Sequence, residues 1–220
     1  MIRYGRRAIG LAIGLSALAG YVDATGFLST GNLFVSFMSG NSTRLGIAIQ
    51  NGVASYVGLA CGVIALFVAG VVIGSLLAHR MKTTRKVAVL TLVSSLLALA
   101  TLTDYLNLVS VAVGLMILAM GAANTIFQRE GEVSIGVTYM TGTLVKIGQR
   151  IAAALTGGPR WEWIPYLLLW SGLIVGATTG AIVHVRIGHS AALLVATVFA
   201  FALTIYTKIA IQTEDSQATS

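Results

Sequence analysis

Apolar residues run along this chain in eight long stretches, roughly 8–28, 33–50, 55–78, 87–103, 105–127, 133–154, 163–185 and 190–210. Several reach the roughly 20 residues that a helix needs to cross a bilayer core. The pattern predicts an all-α integral membrane protein, a single membrane domain over 1–220 with a polar tail at 211–220. Two stretches depart from plain apolar character. Phe34-Val-Ser-Phe-Met-Ser-Gly-Asn-Ser-Thr-Arg-Leu-Gly46 is polar, glycine-containing and cationic, and it returns as Gly136-Val-Thr-Tyr-Met-Thr-Gly-Thr-Leu-Val-Lys-Ile-Gly148. Met38 aligns with Met140, Gly40 with Gly142, Ser39 with Thr141 and Arg44 with Lys146.

Similar offsets relate other parts of the chain. Gly20-Tyr-Val-Asp23 aligns with Gly121-Ala-Ala-Asn124, and Gly70, Gly74 and Arg80 align with Gly176, Gly180 and Arg186. The sequence is therefore read as two repeats, about 8–103 and about 105–210. Repeats of this kind are common in transporter folds.

Charge bears on how the stretches lie. Cytoplasmic loops carry an excess of Lys and Arg. With the N-terminus cytoplasmic and eight crossings, six flanking cations fall outside and five inside. With six crossings and re-entrant segments at 33–50 and 133–154, ten fall inside and Arg186 alone outside, leaving Arg44, Lys146 and Arg150 within the re-entrant segments. The expectation is about six spans in two inverted three-helix repeats, each with a polar re-entrant or broken-helix segment. Eight spans with parallel repeats is the alternative. In the inverted arrangement the two motif segments enter from opposite faces and meet near the midplane.

Composition narrows the classes. The chain has 220 residues, 56% of them hydrophobic and 10% charged, against about 25% charged in a soluble domain. The net charge of +7 sits at the ends of apolar runs, so it reads as a topology signal and not as a nucleic-acid surface. The single cysteine, Cys61, excludes an intrachain disulfide and a thiolate zinc site. Arg3, Arg6 and Arg7 before Ala8–Gly20 resemble the start of a signal peptide. The apolar run continues through Tyr21–Leu28 and has a repeat partner in Leu108–Phe127, so it is read as a retained first helix.

No enzyme motif is present: no HExxH, GxSxG or Walker A, nor GxGxxG in a strand–helix context. No cofactor or metal is expected, and His79, His184 and His189 are read as interfacial residues near helix ends. The intramembrane polar groups are the candidates for a solute or ion site. Asp23 is read either as a proton-coupling or substrate-binding carboxylate, or as the ion-pair partner of Arg44; intramembrane acids support both roles. Asn124 is its amide counterpart. Arg44 and Lys146 either attract an anion or snorkel to the interface. Asn41, Thr43, Thr141 and Thr143 supply neutral donors and acceptors, with helix–helix hydrogen bonding as the competing role. Gln128, Arg129, Glu130 and Glu132 read as a cytoplasmic turn, and Trp161, Trp163 and Tyr166 as an aromatic belt. Gly10xxxGly14, Gly58xxxGly62, Gly70xxxGly74 and Gly172xxxGly176xxxGly180 read as helix-packing faces within one chain, with a homodimer face as the alternative.

Gly20-Tyr-Val-Asp-Ala24 followed by Phe34…Met38-Ser-Gly-Asn-Ser-Thr-Arg-Leu-Gly46 resembles the YoaK-like family of bacterial inner-membrane proteins. The resemblance covers nearly the whole chain. The family pattern commonly has threonine before Gly-Asn, where this chain has Ser39 and keeps the hydroxyl. The resemblance implies a multi-pass plasma-membrane protein of about six spans and supplies no substrate. The residues themselves point to a secondary transporter or permease for a small polar solute. A channel-like pore and a non-transporting scaffold are the rival readings.

Overall fold

The structure, a computed structural model, describes residues 5–31, 33–81, 84–129, 132–133 and 135–218. The expectations for Arg3, Lys82 and Glu130, and for the side chains of Arg6, Gln128, Arg129 and Glu132, lie outside what is described. Among the described residues eight helices follow one another: α1 (Arg6–Ser29), α2 (Met38–Gln50), α3 (Ala54–Arg80), α4 (Arg85–Tyr105), α5 (Val109–Ala123), α6 (Met140–Leu155), α7 (Ile164–Ile187) and α8 (His189–Ala218). A two-residue ladder, β1 (Gln128–Arg129) on β2 (Glu132–Val133), closes the turn after α5. This is a helical integral membrane protein. α1, α3, α4, α7 and α8 are each long and apolar enough to cross a bilayer, and α5 is apolar but shorter.

Three stretches differ from their expected extents. The run at 33–50 is not one segment: residues 33–37 are non-helical and α2 begins only at Met38. The run at 133–154 likewise has non-helical backbone at 135–139 before α6. The run at 105–127 gives only 15 helical residues, Val109–Ala123, about 22 Å of helix. Tyr105 ends α4, and residues 124–127 form turns. At the other end, α8 carries helix through the expected tail to Ala218.

The helices pack at glycines. Gly172 faces Ile13, Gly176 faces Ala17 and Gly180 faces Tyr21, so α1 and α7 run parallel. Gly70 faces Leu118 and Gly74 faces Ala122, so α3 and α5 run parallel as well. At these places the neighbouring backbone occupies the position a Cβ would take, the close approach that small residues permit between lipid-embedded helices. α8 is antiparallel to α1, with Leu203 against Gly14 and Tyr206 against Gly10. It is also antiparallel to α4, with hydroxyl pairs Ser94–Thr204 and Thr101–Thr197, both at 3.0 Å.

These directions sort the helix ends. One end of the bundle gathers Arg7, Arg80, Arg85, Lys86, Arg160 and Lys208, and the other carries Arg186. α1 and α5 hold much of the core: Leu15, Leu18 and Val22 from the first, Met116, Ile117 and Met120 from the second, with Leu90, Val93 and Leu97 of α4. α3 and α7 are the least buried of the long helices and present most of their apolar surface outward, as lipid contact requires.

Candidate functional site

Chemistry collects where the chain leaves α1. Thr30 turns it: the hydroxyl donates to the Leu33 carbonyl at 2.7 Å and accepts the Leu33 N–H at 3.0 Å. Gly31, with φ of 65°, reverses the direction. The chain then returns along α1. Val35 and Ser36 donate their backbone N–H groups to Oδ1 of Asp23 at 2.9 and 2.7 Å. Asp23 lies six residues before the last residue of α1, so the segment doubles back by about 9 Å of helix rise. Val35 is fully buried and sits against Gly26, where a larger residue would block it.

Asn41, in the first turn of α2, holds the same segment from the other side. Its Oδ1 accepts the Phe34 N–H at 2.9 Å, and its Nδ2 donates to the Phe34 carbonyl at 2.7 Å. Non-helical backbone away from water must find hydrogen-bond partners inside the protein. Asp23 and Asn41 supply them.

A related arrangement follows α5. Asn124 is buried at the end of that helix, donates from Nδ2 to the Met120 carbonyl, and accepts at Oδ1 from the Thr138 hydroxyl at 3.0 Å. Thr138 belongs to the non-helical stretch ahead of α6, and in the alignment of the two motifs it stands where Ser36 does. Thr143 is buried and back-bonds to the Tyr139 carbonyl.

The candidate residues therefore divide. Asp23, Asn41 and Asn124 hold returning chain segments. Arg44 lies in an open cleft of about 540 Å³, lined also by Gly31, Ile47, Ala48, Asn51, Val53 and Tyr56. Its guanidinium is stacked 5.2 Å from the Phe27 ring centroid and 5.0 Å from that of Phe34. Among the described residues no carboxylate is within ion-pair distance of Arg44, so the Asp23–Arg44 pair is not formed. Asp23 is taken up by backbone amides, and Arg44 by aromatic faces. Thr43, Thr141 and Lys146 are exposed on α2 and α6; Lys146 has its ammonium 5.8 Å from the Tyr166 ring centroid.

Two further expectations are corrected. α2 packs on α3 and α6 on α7, and α2 and α6 do not touch, so the two motif helices do not meet in the chain. Tyr166 is buried and takes no place in an exposed belt, whereas Trp161 is 70% exposed. The glycine faces at 10/14, 70/74 and 172/176/180 pack inside the chain, while Gly58 and Gly62 have no neighbour within van der Waals contact of a Cβ. Cys61 is exposed.

Sequence reasoning overlooked the loop partners Ser36 and Thr138, although their place in the aligned motifs was visible. It also overlooked a polar cluster of Asp104, His184, His189 and Ser190 at the end of the bundle where α1 finishes. His184, His189 and Ser190 lie at the junction of α7 and α8, and only the packing of the helices brings Asp104, 85 positions before His189, to them. Among the described residues no group of three or more His, Cys, Asp or Glu has metal-binding geometry.

Comparison with known proteins agrees with the membrane-spanning character. The chain is 37% identical over 209 residues to the UPF0700 transmembrane protein RA0705 of Rhizobium meliloti (strain 1021), covering 93% of this chain and 88% of that one. It is 31% identical over 148 residues to the UPF0700 transmembrane protein YoaK of Bacillus subtilis (strain 168), covering 64% of this chain and 66% of the relative. No solved structure gives a significant match. The family model described as "Protein of unknown function (DUF1275)" matches residues 11–206, and the chain belongs to that family.

Proposed function

We propose that this protein is a secondary transporter or permease for a small polar solute, built of six crossings in two inverted halves. One observation carries the reading: two membrane-associated segments of broken helix, each held by a side chain at an aligned position, Asp23 on α1 and Asn124 on α5. Discontinuous segments in corresponding places of two halves are the usual pointer to a transporter's working parts. A scaffold that only joins helices has no need of them.

The inverted arrangement is supported by helix direction. α1, α4 and α7 run one way and α3, α5 and α8 the other. With α1 and α3 opposed, α2 makes no net crossing; with α5 and α7 opposed, α6 makes none. At 13 residues α2 spans about 20 Å, short of a core of about 30 Å. The first helix of each half packs in parallel on the third helix of the other, α1 on α7 and α5 on α3. Basic residues gathered at the end where α1 begins support a cytoplasmic N-terminus in a bacterial inner membrane.

Asp23 is the latch in this reading. As a carboxylate it accepts two amides from the returning segment, bonds strengthened by its charge. A proton on Asp23 weakens them and frees residues 33–37, which adjoin the Arg44 cleft, and this couples proton binding to opening. Arg44, with Asn51 and Tyr56, offers the solute one positive charge and two polar groups.

Purified protein in proteoliposomes, loaded with a mixed panel of small polar solutes chosen from metabolites that differ between cells with and without the protein, tests this. Saturable, pH-dependent flux of a panel member is expected, with loss of its pH dependence in Asp23→Asn and weaker uptake in Arg44→Gln. Folded protein that moves no solute across the panel contradicts the proposal and favours the scaffold.

A further inference from the structure

Four helix ends converge where α1 finishes, and their polar groups interlock. Ser29 of α1 donates its hydroxyl to the Thr25 carbonyl at 2.8 Å. Its oxygen lies 2.8 Å from Nδ1 of His189, the first residue of α8. A hydroxyl whose hydrogen is placed on the Thr25 carbonyl accepts at its lone pairs, and we assign the ring hydrogen of His189 to Nδ1 from this network. Nδ1 of His184 on α7 is 3.4 Å from the same atom. On the far side of the ring, Nε2 is buried and has no hydrogen-bond partner among the described residues. It faces Oδ1 of Asp104, on the last turn of α4, at 3.5 Å. Asp104 is 7% exposed, and its other oxygen accepts the Ser190 hydroxyl.

With one ring nitrogen protonated, this geometry sets an imidazole lone pair against a carboxylate oxygen. Two buried acceptors then point at one gap with no hydrogen between them. The titratable and charged groups that face the ring are Asp104 from α4 and His184 from α7; α1 brings only the Ser29 hydroxyl, and Arg186 is exposed. We infer that His189 and Asp104 form a reversible proton-binding site, which takes one proton from the water on that face and holds it between Nε2 and Oδ1.

The proton converts the facing acceptors into an imidazolium–carboxylate pair and so clamps α4 to α8. Loss of the proton restores the opposed acceptors and loosens the same joint. The site stands apart from Asp23, uses none of the residues in the transport reading, and holds whether or not that reading does.

The test is a pH titration of full-length protein in lipid nanodiscs with ¹⁵N-labelled histidine, followed by NMR of the ring nitrogens. His189→Gln identifies the resonance. His189 is expected to take up one proton as a single site as the pH is lowered. Asp104→Asn is expected to move that titration to lower pH by about one unit or more, because a carboxylate beside an imidazolium favours the charged form. His184→Gln should leave the ring titrating, with its midpoint moved to higher pH by loss of a like charge. A His189 ring that holds one protonation state across the whole pH range over which the protein stays folded overturns the inference without need of any variant. A midpoint unmoved by Asp104→Asn overturns it as well.

Discussion

Oδ1 of Asp23 accepts the backbone N–H of Ser36 at 2.7 Å, and this contact ties the core helix α1 to the segment that leads into α2. The same oxygen takes the amide of Val35. A leucine at position 23 would leave both amides without a partner, and an unmade buried hydrogen bond costs about 1–3 kcal/mol. Asp23→Leu should therefore lower stability by about 2–6 kcal/mol, read as a fall in the unfolding midpoint in detergent. Asp23→Asn keeps an acceptor and should cost about 1 kcal/mol.

Asn124 and Thr138 make the corresponding bond after α5. Groups in direct contact couple by about 0.5–3 kcal/mol in a double-mutant cycle. Asn124→Ala and Thr138→Val should thus be less than additive in unfolding measurements. Strict additivity would mean that the two side chains do not act on each other.

Asp23 and Arg44 should not behave as an ion pair in stability. Their partners are different, amides for one and aromatic faces for the other. Arg44→Gln added to Asp23→Asn should not restore the stability that Asp23→Asn loses. Rescue of the first by the second would restore the ion pair that the sequence alone suggests.

Gly176 separates the two kinds of glycine motif. Its place against the Ala17 backbone leaves no room for a Cβ, whereas Gly58 meets open space. Gly176→Leu should prise α7 from α1 and lower the unfolding midpoint sharply, an overpacking cost of about 1–3 kcal/mol or more. Gly58→Leu should leave it nearly unchanged. A drop in oligomer mass with Gly58→Leu, and no change in unfolding, would instead assign the 58/62 face to a homodimer.

Much of this architecture is written in local pattern. The long apolar helices and the cationic ends follow from periodicity and charge, and self-similarity singles out Asp23, Asn124 and the two motifs. What the sequence could not supply is who satisfies whom. An acid beside a distant arginine suggests an ion pair, yet Arg44 is stacked on Phe27 and Phe34, and Asp23 holds backbone. A broken-helix segment was expected within 33–50, but its place at 33–37 was hidden because Val35, Phe34 and Phe37 are as apolar as helix residues. Its cause lies in Asp23 and Asn41, 12 and 7 residues distant from the amides they accept. Asp104 and His189 are separated by 85 positions, and only the antiparallel packing of α4 and α8 brings them to 3.5 Å.

The central claim is that α2 and α6 return to the face they left. Impermeant thiol labelling of intact cells tests it, in a Cys61→Ala background with single cysteines introduced at the exposed positions Asn51, Met81, Asn107 and Thr156. Six crossings place Asn51 and Asn107 outside, and Met81 and Thr156 inside. Labelling of Asn51→Cys and Asn107→Cys alone is the expected result. Labelling of Met81→Cys from outside, with Asn51→Cys protected, would mean that α2 crosses the membrane and would contradict the account.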